Sequence, residues 1–73
     1  MNDVHIGKLI RKKLDEEGWS AAWLAKQIPC SEKHVYKIFE KDDIYPQQLR
    51  RISIALKFNF FSYYLESVRK EIE

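Results

Sequence analysis

The chain has little with which to fasten itself. Its 73 residues include one cysteine, Cys30, so no internal disulfide can staple it. Two glycines and two prolines leave few breaks for the turns of a many-stranded fold. No stretch alternates apolar and polar residues for long, and no Asn-Gly or Asp-Gly pair marks a hairpin, so strand signals are poor. No apolar run approaches the ~20 residues that span a bilayer. The opening "MNDVHIGKLI" has neither a signal-peptide core nor a lipidation pattern. With a lone cysteine, this points to a cytoplasmic protein without a membrane partner. Repeats, low-complexity tracts and linkers are also missing, which leaves one small domain over 1–73.

The chemistry of catalysis is equally scarce. No serine or cysteine stands beside a plausible base, no glycine-rich loop offers to cradle phosphate, and no carboxylate pair suggests a cleft. His5 and His34 have no cysteine or second histidine at ligand spacing, which argues against a metal site. The chain is expected not to be an enzyme, to carry no cofactor and to take no small-molecule ligand. Charge of one sign is scarce too. Thirteen basic and 11 acidic residues leave a net charge of +2, so any nucleic-acid surface must come from sorting charges onto one face.

What the chain does have is apolar residues, 45% of the total, aromatics at 14%, and strong helical periodicity. An all-α chain of five short helices follows. The first is expected over about Val4 to Glu17, with Asp3 as N-cap, a stripe of Ile6, Leu9, Ile10 and Leu14, and Gly18 in the left-handed position beyond its end. The second follows Ser20 and presents Leu24, Ala25 and Ile28. Pro29 ends it, because the residue before a proline is pushed out of the α region. Ser31 caps the third, whose stripe is Val35, Ile38 and Phe39. "EKDDIY" reads as a loop. Pro46 suits the first turn of the fourth helix, with Leu49, Ile52, Ser53 and Leu56 inward, and Asn59 is the expected cap of the fifth.

Helices 2 and 3, over about 20–40, have the spacing of a helix-turn-helix. Ala25 permits close approach, Cys30 sits in the turn as a small buried hydrophobe, and Val35 and Ile38 face back. Opposite that stripe lie Lys33 and Lys37, flanked by Tyr36, Glu40 and Lys41, with Glu32 and His34 on the shoulders of the first turn. A recognition helix presents its N-terminal residues to base edges. Lysine bonds the O6 and N7 of guanine or neutralises phosphate, and Glu32 suits a cytosine amino group. Ser20 and Ser31 mark helix starts whose amides suit phosphate. The DNA-contact candidates are therefore Ser20, Ser31, Glu32, Lys33, His34, Tyr36, Lys37 and Lys41. Lys33, Lys37 and Lys41 read equally well, on spacing alone, as a solvated helix face.

Over about residues 6–65 the chain resembles the Cro/C1-type helix-turn-helix domains, the XRE family of phage repressors and bacterial regulators. "IGKLIRKKLDEEGWS" is similar to the family's opening helix and its lead into helix 2, "WLAKQI" to the Leu-Ala core of helix 2, and "PQQLRRISIALKFN" to the fourth helix, while "SEKHVYKIFE" takes the recognition-helix place. The resemblance implies a five-helix, lambda-repressor-like domain, usually dimeric, that binds double-stranded DNA and regulates transcription. The chain departs from the family at Pro29, which replaces a turn glycine and cannot take positive φ. It departs again at Ala21, where a phosphate-holding glutamine is common, and at Asp42 and Asp43, which would repel phosphates unless turned away. Leu14 and Phe39 stand where members often bury an arginine–glutamate pair. Both partners have become apolar together, and the two side chains are expected to touch.

Trp19 is expected to plug the core between helices 1 and 2, whereas the wheel points Trp23 away, onto DNA backbone, a partner or a neighbouring side chain. The tail "FNFFSYYLESVRKEI" has more rings than one edge of a small core can use. Phe61, Leu65, Val68 and Ile72 form a stripe within the C-terminal helix, about 60–73. It either packs back on helices 1 and 4 or forms a homodimer surface, with outward Ile54 contributing. The alternative to DNA binding is a helical protein-interaction module, an adaptor or antitoxin-like partner, that keeps the fold without reading bases.

Overall fold

The computed structural model describes residues 4–73. Five helices follow one another, α1 Ile6–Glu17, α2 Ala21–Gln27, α3 Glu32–Phe39, α4 Pro46–Leu56 and α5 Phe61–Ile72, and the described residues contain no strand. The all-α expectation therefore holds, with element limits shifted by a residue or two.

The largest shift is at the start of α1, two residues later than Val4. His5 is extended (φ −106°, ψ 91°) and its Nδ1 accepts the Lys8 amide at 3.2 Å. A histidine thus fills the N-cap role; Asp3, the expected cap, lies outside the described residues. The free amides of Ile6 and Gly7 donate to the carbonyls of Asp42 and Lys41, each at 3.0 Å. The loop after α3 thereby satisfies donors that a helix start leaves orphaned.

Gly18 adopts φ +72°. Its amide donates to Asp15 O and the Trp19 amide to Leu14 O at 2.9 Å, the paired bonds of a Schellman end. The end of α4 repeats the pattern without a glycine. Lys57 is left-handed (φ +52°), its amide donates to Ile54 O, and the Phe58 amide donates to Ser53 O at 3.0 Å. The side-chain pattern gives no sign of this second turn.

Between α2 and α3 the chain turns through 28–31. Ile28 leaves the helix at φ −110°, ψ 34°, outside the α region that a following proline disfavours. The Cys30 amide donates to Ala25 O at 3.0 Å. The described residues of positive φ are Gly18 and Lys57 alone, so the turn around Pro29 is built without a left-handed residue. Cys30 is half-buried, not fully buried as expected, and burial raises its thiol pKa above the ordinary 9.0.

One core joins the helices. Ile6, Ile10 and Leu14 of α1, Leu24 of α2, Val35 and Ile38 of α3, Leu49, Ile52 and Leu56 of α4, and Phe60 are all at most 2% exposed. Fully burying each large member contributes about 1.5–3 kcal/mol. Leu14 and Phe39 are both buried in this cluster, so neither points to solvent. The Arg11 guanidinium lies over the Phe39 ring, 5.4 Å from its centre. Gly7 meets the end of α3 so closely that an added Cβ would overlap the carbonyls of Ile38 and Phe39.

At the junction of α4 and α5, the rings of Phe58, Phe60 and Tyr63 cluster in edge-on and tilted contacts at centroid separations of 4.9 to 6.4 Å. The Asn59 carboxamide oxygen accepts the Phe61 amide at 3.0 Å, so Asn59 does cap α5, from one residue before the formal N-cap, Phe60. No residue of α5 is buried. Tyr63 and Tyr64 lean on the core, while Leu65 (63% exposed), Val68 and Ile72 stay open to solvent and Phe61 is partly exposed.

Candidate nucleic-acid interface

The candidate residues sit on two helix starts and one helix face. Ser20 Oγ accepts the Trp23 amide at 3.0 Å and Ser31 Oγ accepts the His34 amide at 3.1 Å. Each hydroxyl uses a lone pair for capping, which leaves its hydrogen to donate outward. Both serines are exposed.

The outer side of α3 follows from its inner one. Val35, Ile38 and Phe39 are buried, so the opposite direction carries Lys33 and Lys37, with Tyr36 beside them and Glu32 on the shoulder of the first turn, all exposed. Lys33 and Lys37 are four residues apart and lie on the same side of the helix. Lys41 is exposed one turn further on, and its carbonyl is held by Gly7. None of these three lysines has an ion-pair partner among the described residues. Tyr36 stands edge-on to Phe39 at 5.7 Å and half of it is exposed.

His34 is half-buried, because it is engaged elsewhere. Its Nε2 lies 3.1 Å from the Gln48 side-chain nitrogen. As placed, the amide donates, and a neutral ring then carries its own proton on Nδ1. This tie between α3 and the first turn of α4 has no local sequence signal. Arg11 is exposed along its helix. Over Phe39, it brings a further cation beside Tyr36.

The two tryptophans resolve together. Trp19 packs against the core as expected but is only half-buried, not enclosed. Its ring stacks on that of Trp23 at 4.5 Å and 19°, so Trp23 folds over a neighbour. The stack sits beside Ser20 at the start of α2. The acidic loop is likewise turned to structural use at Asp42, whose Oδ1 lies 3.1 Å from His5 Nε2. Asp43 faces another way. Its charge, after burial, helps raise the Tyr64 hydroxyl pKa above the ordinary 10.0.

Charge is distributed unevenly along the chain. Residues 1–43 hold eight basic and eight acidic side chains, 44–65 hold three basic and no acidic, and 66–73 hold two basic and three acidic. The surplus positive charge belongs to α4 and the Lys57 turn that ends it, while the α3 lysines are offset in number by Glu32, Glu40 and their neighbours.

Among the described residues no three side chains gather as metal ligands, and no helix is long and apolar enough to cross a membrane. No protein-family model matches the chain, and neither does a curated protein or a solved structure.

Proposed function

We propose that the chain is a sequence-specific DNA-binding transcriptional regulator. In this reading α2, the turn 28–31 and α3 act as a helix-turn-helix, and α3 enters the major groove. The observation that carries it is the outer face of α3, where Lys33 and Lys37, followed by Lys41, stand exposed and unpaired on a helix whose inner face is locked in the core.

Each residue then has a physical task. Lys33 and Lys37 reach guanine O6 and N7 or phosphate oxygens, and Glu32 accepts from a cytosine amino group. The hydroxyl hydrogens of Ser20 and Ser31 donate to phosphates, fixing register. Tyr36 and His34 border the groove, His34 steadied by Gln48. Lys41 lies along the backbone. Two copies joined through Phe61, Leu65, Val68 and Ile72 would bury a stripe that one copy leaves open. A twofold dimer sets its two recognition helices ~34 Å apart, one turn of DNA.

The second reading, a helical protein-interaction module such as an adaptor or antitoxin-like partner, draws on the same open stripe and on the near-neutral charge of residues 1–43. The salt dependence of duplex binding separates the two. Phosphate contacts make affinity fall steeply with salt, and each lost contact lowers the slope by about one. Lys33→Ala with Lys37→Ala is expected to weaken binding and flatten that slope. Unchanged affinity and slope would remove α3 as the reader.

A further inference from the structure

The outer face of α4 is built unlike the rest of the surface. Two grooves run along it and share Ile54 as a common wall. One, of about 670 Å³, is lined also by Gln27, Pro29, Arg51 and Lys57. The other, of about 370 Å³, adds Arg50, Phe58 and Phe61. Ile54 is 60% exposed. No acidic side chain lines either groove. Arg50, Arg51 and Lys57 are exposed and have no ion-pair partner among the described residues.

We propose that this face docks an acidic, apolar segment of a partner protein. An apolar side chain ringed by unpaired cations matches a segment whose own apolar residue covers Ile54 while carboxylates meet Arg50, Arg51 and Lys57. Arginine suits such a place because its planar fork binds carboxylate with two parallel hydrogen bonds. Residues 44–65 contain no carboxylate to satisfy those forks from within. A nucleic acid would use the cations but gain nothing from the exposed Ile54, whereas protein hot spots join a buried apolar or aromatic centre to arginine. A second copy fits less well, because Glu66 and Glu73 of its open helix already pair with Arg69. The surface is separate from the lysine face of α3, so it does not depend on DNA binding.

The test is selection of random displayed peptides on the full chain, followed by affinity measurement. Enriched peptides are expected to be net negative with apolar residues at helical spacing. Their affinity should fall about tenfold or more in Ile54→Asp and in Arg50→Glu/Arg51→Glu, and stay unchanged in Lys33→Ala/Lys37→Ala. Circular dichroism checks that each variant folds, and Ile54→Ser replaces Ile54→Asp if that one does not. No enrichment, neutral or basic peptides, or full affinity in the Ile54 variant would overturn the proposal. So would either of two substitutes with peptide binding intact: a change of sedimenting mass in the Ile54 variant, marking a self-interface, or weakened duplex binding in the arginine variant, marking a DNA surface.

Discussion

His5 bonds two ways at once. Its Nδ1 accepts the Lys8 amide at 3.2 Å and its Nε2 lies 3.1 Å from Asp42 Oδ1. One ring therefore caps α1 and ties it to the loop that follows α3. The two contacts differ in worth, since Asp42 is largely exposed and exposed pairs contribute little. His5→Ala is expected to cost about 1 kcal/mol of stability, mainly through the lost cap. Asp42→Asn should cost under ~0.5 kcal/mol, because the Asp42 carbonyl still accepts from Ile6. Urea titrations of the two variants check the order.

The two glycines serve different needs, and alanine distinguishes them. At Gly7 the obstacle is space, since the Cβ runs into α3 backbone that cannot yield. Gly7→Ala is expected to destabilise by about 3 kcal/mol or more. At Gly18 there is open space, but φ is +72°, and alanine there should cost about 1 kcal/mol. Thermal melts of both variants would show the larger drop at Gly7.

Lys57 holds the same left-handed turn as Gly18 with a side chain that disfavours it. Lys57→Gly is expected to raise stability by about 0.5–1 kcal/mol, despite the larger unfolded-state entropy of glycine. A melting temperature equal to or below that of the parent chain would contradict the strain at this position.

The open stripe of α5 makes a prediction about mass. Leu65→Glu with Val68→Glu should leave the fold intact, since both positions are exposed. If two copies meet there, sedimentation will show the parent chain as a dimer and this variant as a monomer. A parent chain that remains monomeric at high micromolar concentration, with and without DNA, would remove α5 as the dimer surface.

Cys30 links pH to stability. Burial raises its folded pKa above the ordinary 9.0, so the folded state favours the neutral thiol. Its contribution is fully present below the unfolded pKa and lost as pH rises through the folded one. Stability measured from pH 8 upward is expected to decline, and Cys30→Ala should show a smaller decline. The native thiol should also alkylate more slowly than the unfolded one near pH 8.

Most of the framework could be read from local signals. Ser20, Gly18, Pro29 and Ser31 act within a turn of their own positions, and the buried stripes repeat at helical spacing. The site was legible for the same reason: once Val35, Ile38 and Phe39 face inward, Lys33 and Lys37 must face outward. The misreadings arose where a residue's partner is distant or unexpected. The first helix was expected from Val4 and starts at Ile6, because His5 uses Nδ1 for the capping bond. The wheel of α2 sent Trp23 outward, whereas it is half-buried against the core edge and the Trp19 ring.

The sequence by itself determined the number of helices and the buried stripes of α1 to α4, because capping and amphipathic periodicity are local properties of the chain. Only the tertiary structure decided what those helices do to one another. The crossing of α1 over the end of α3 demands Gly7. The loop at Asp42 satisfies the first amides of α1. Gln48 restrains His34 on the candidate reading face, and Ile54 stands among three unpaired cations. These depend on backbones brought together from distant positions, and no local pattern encodes such distances.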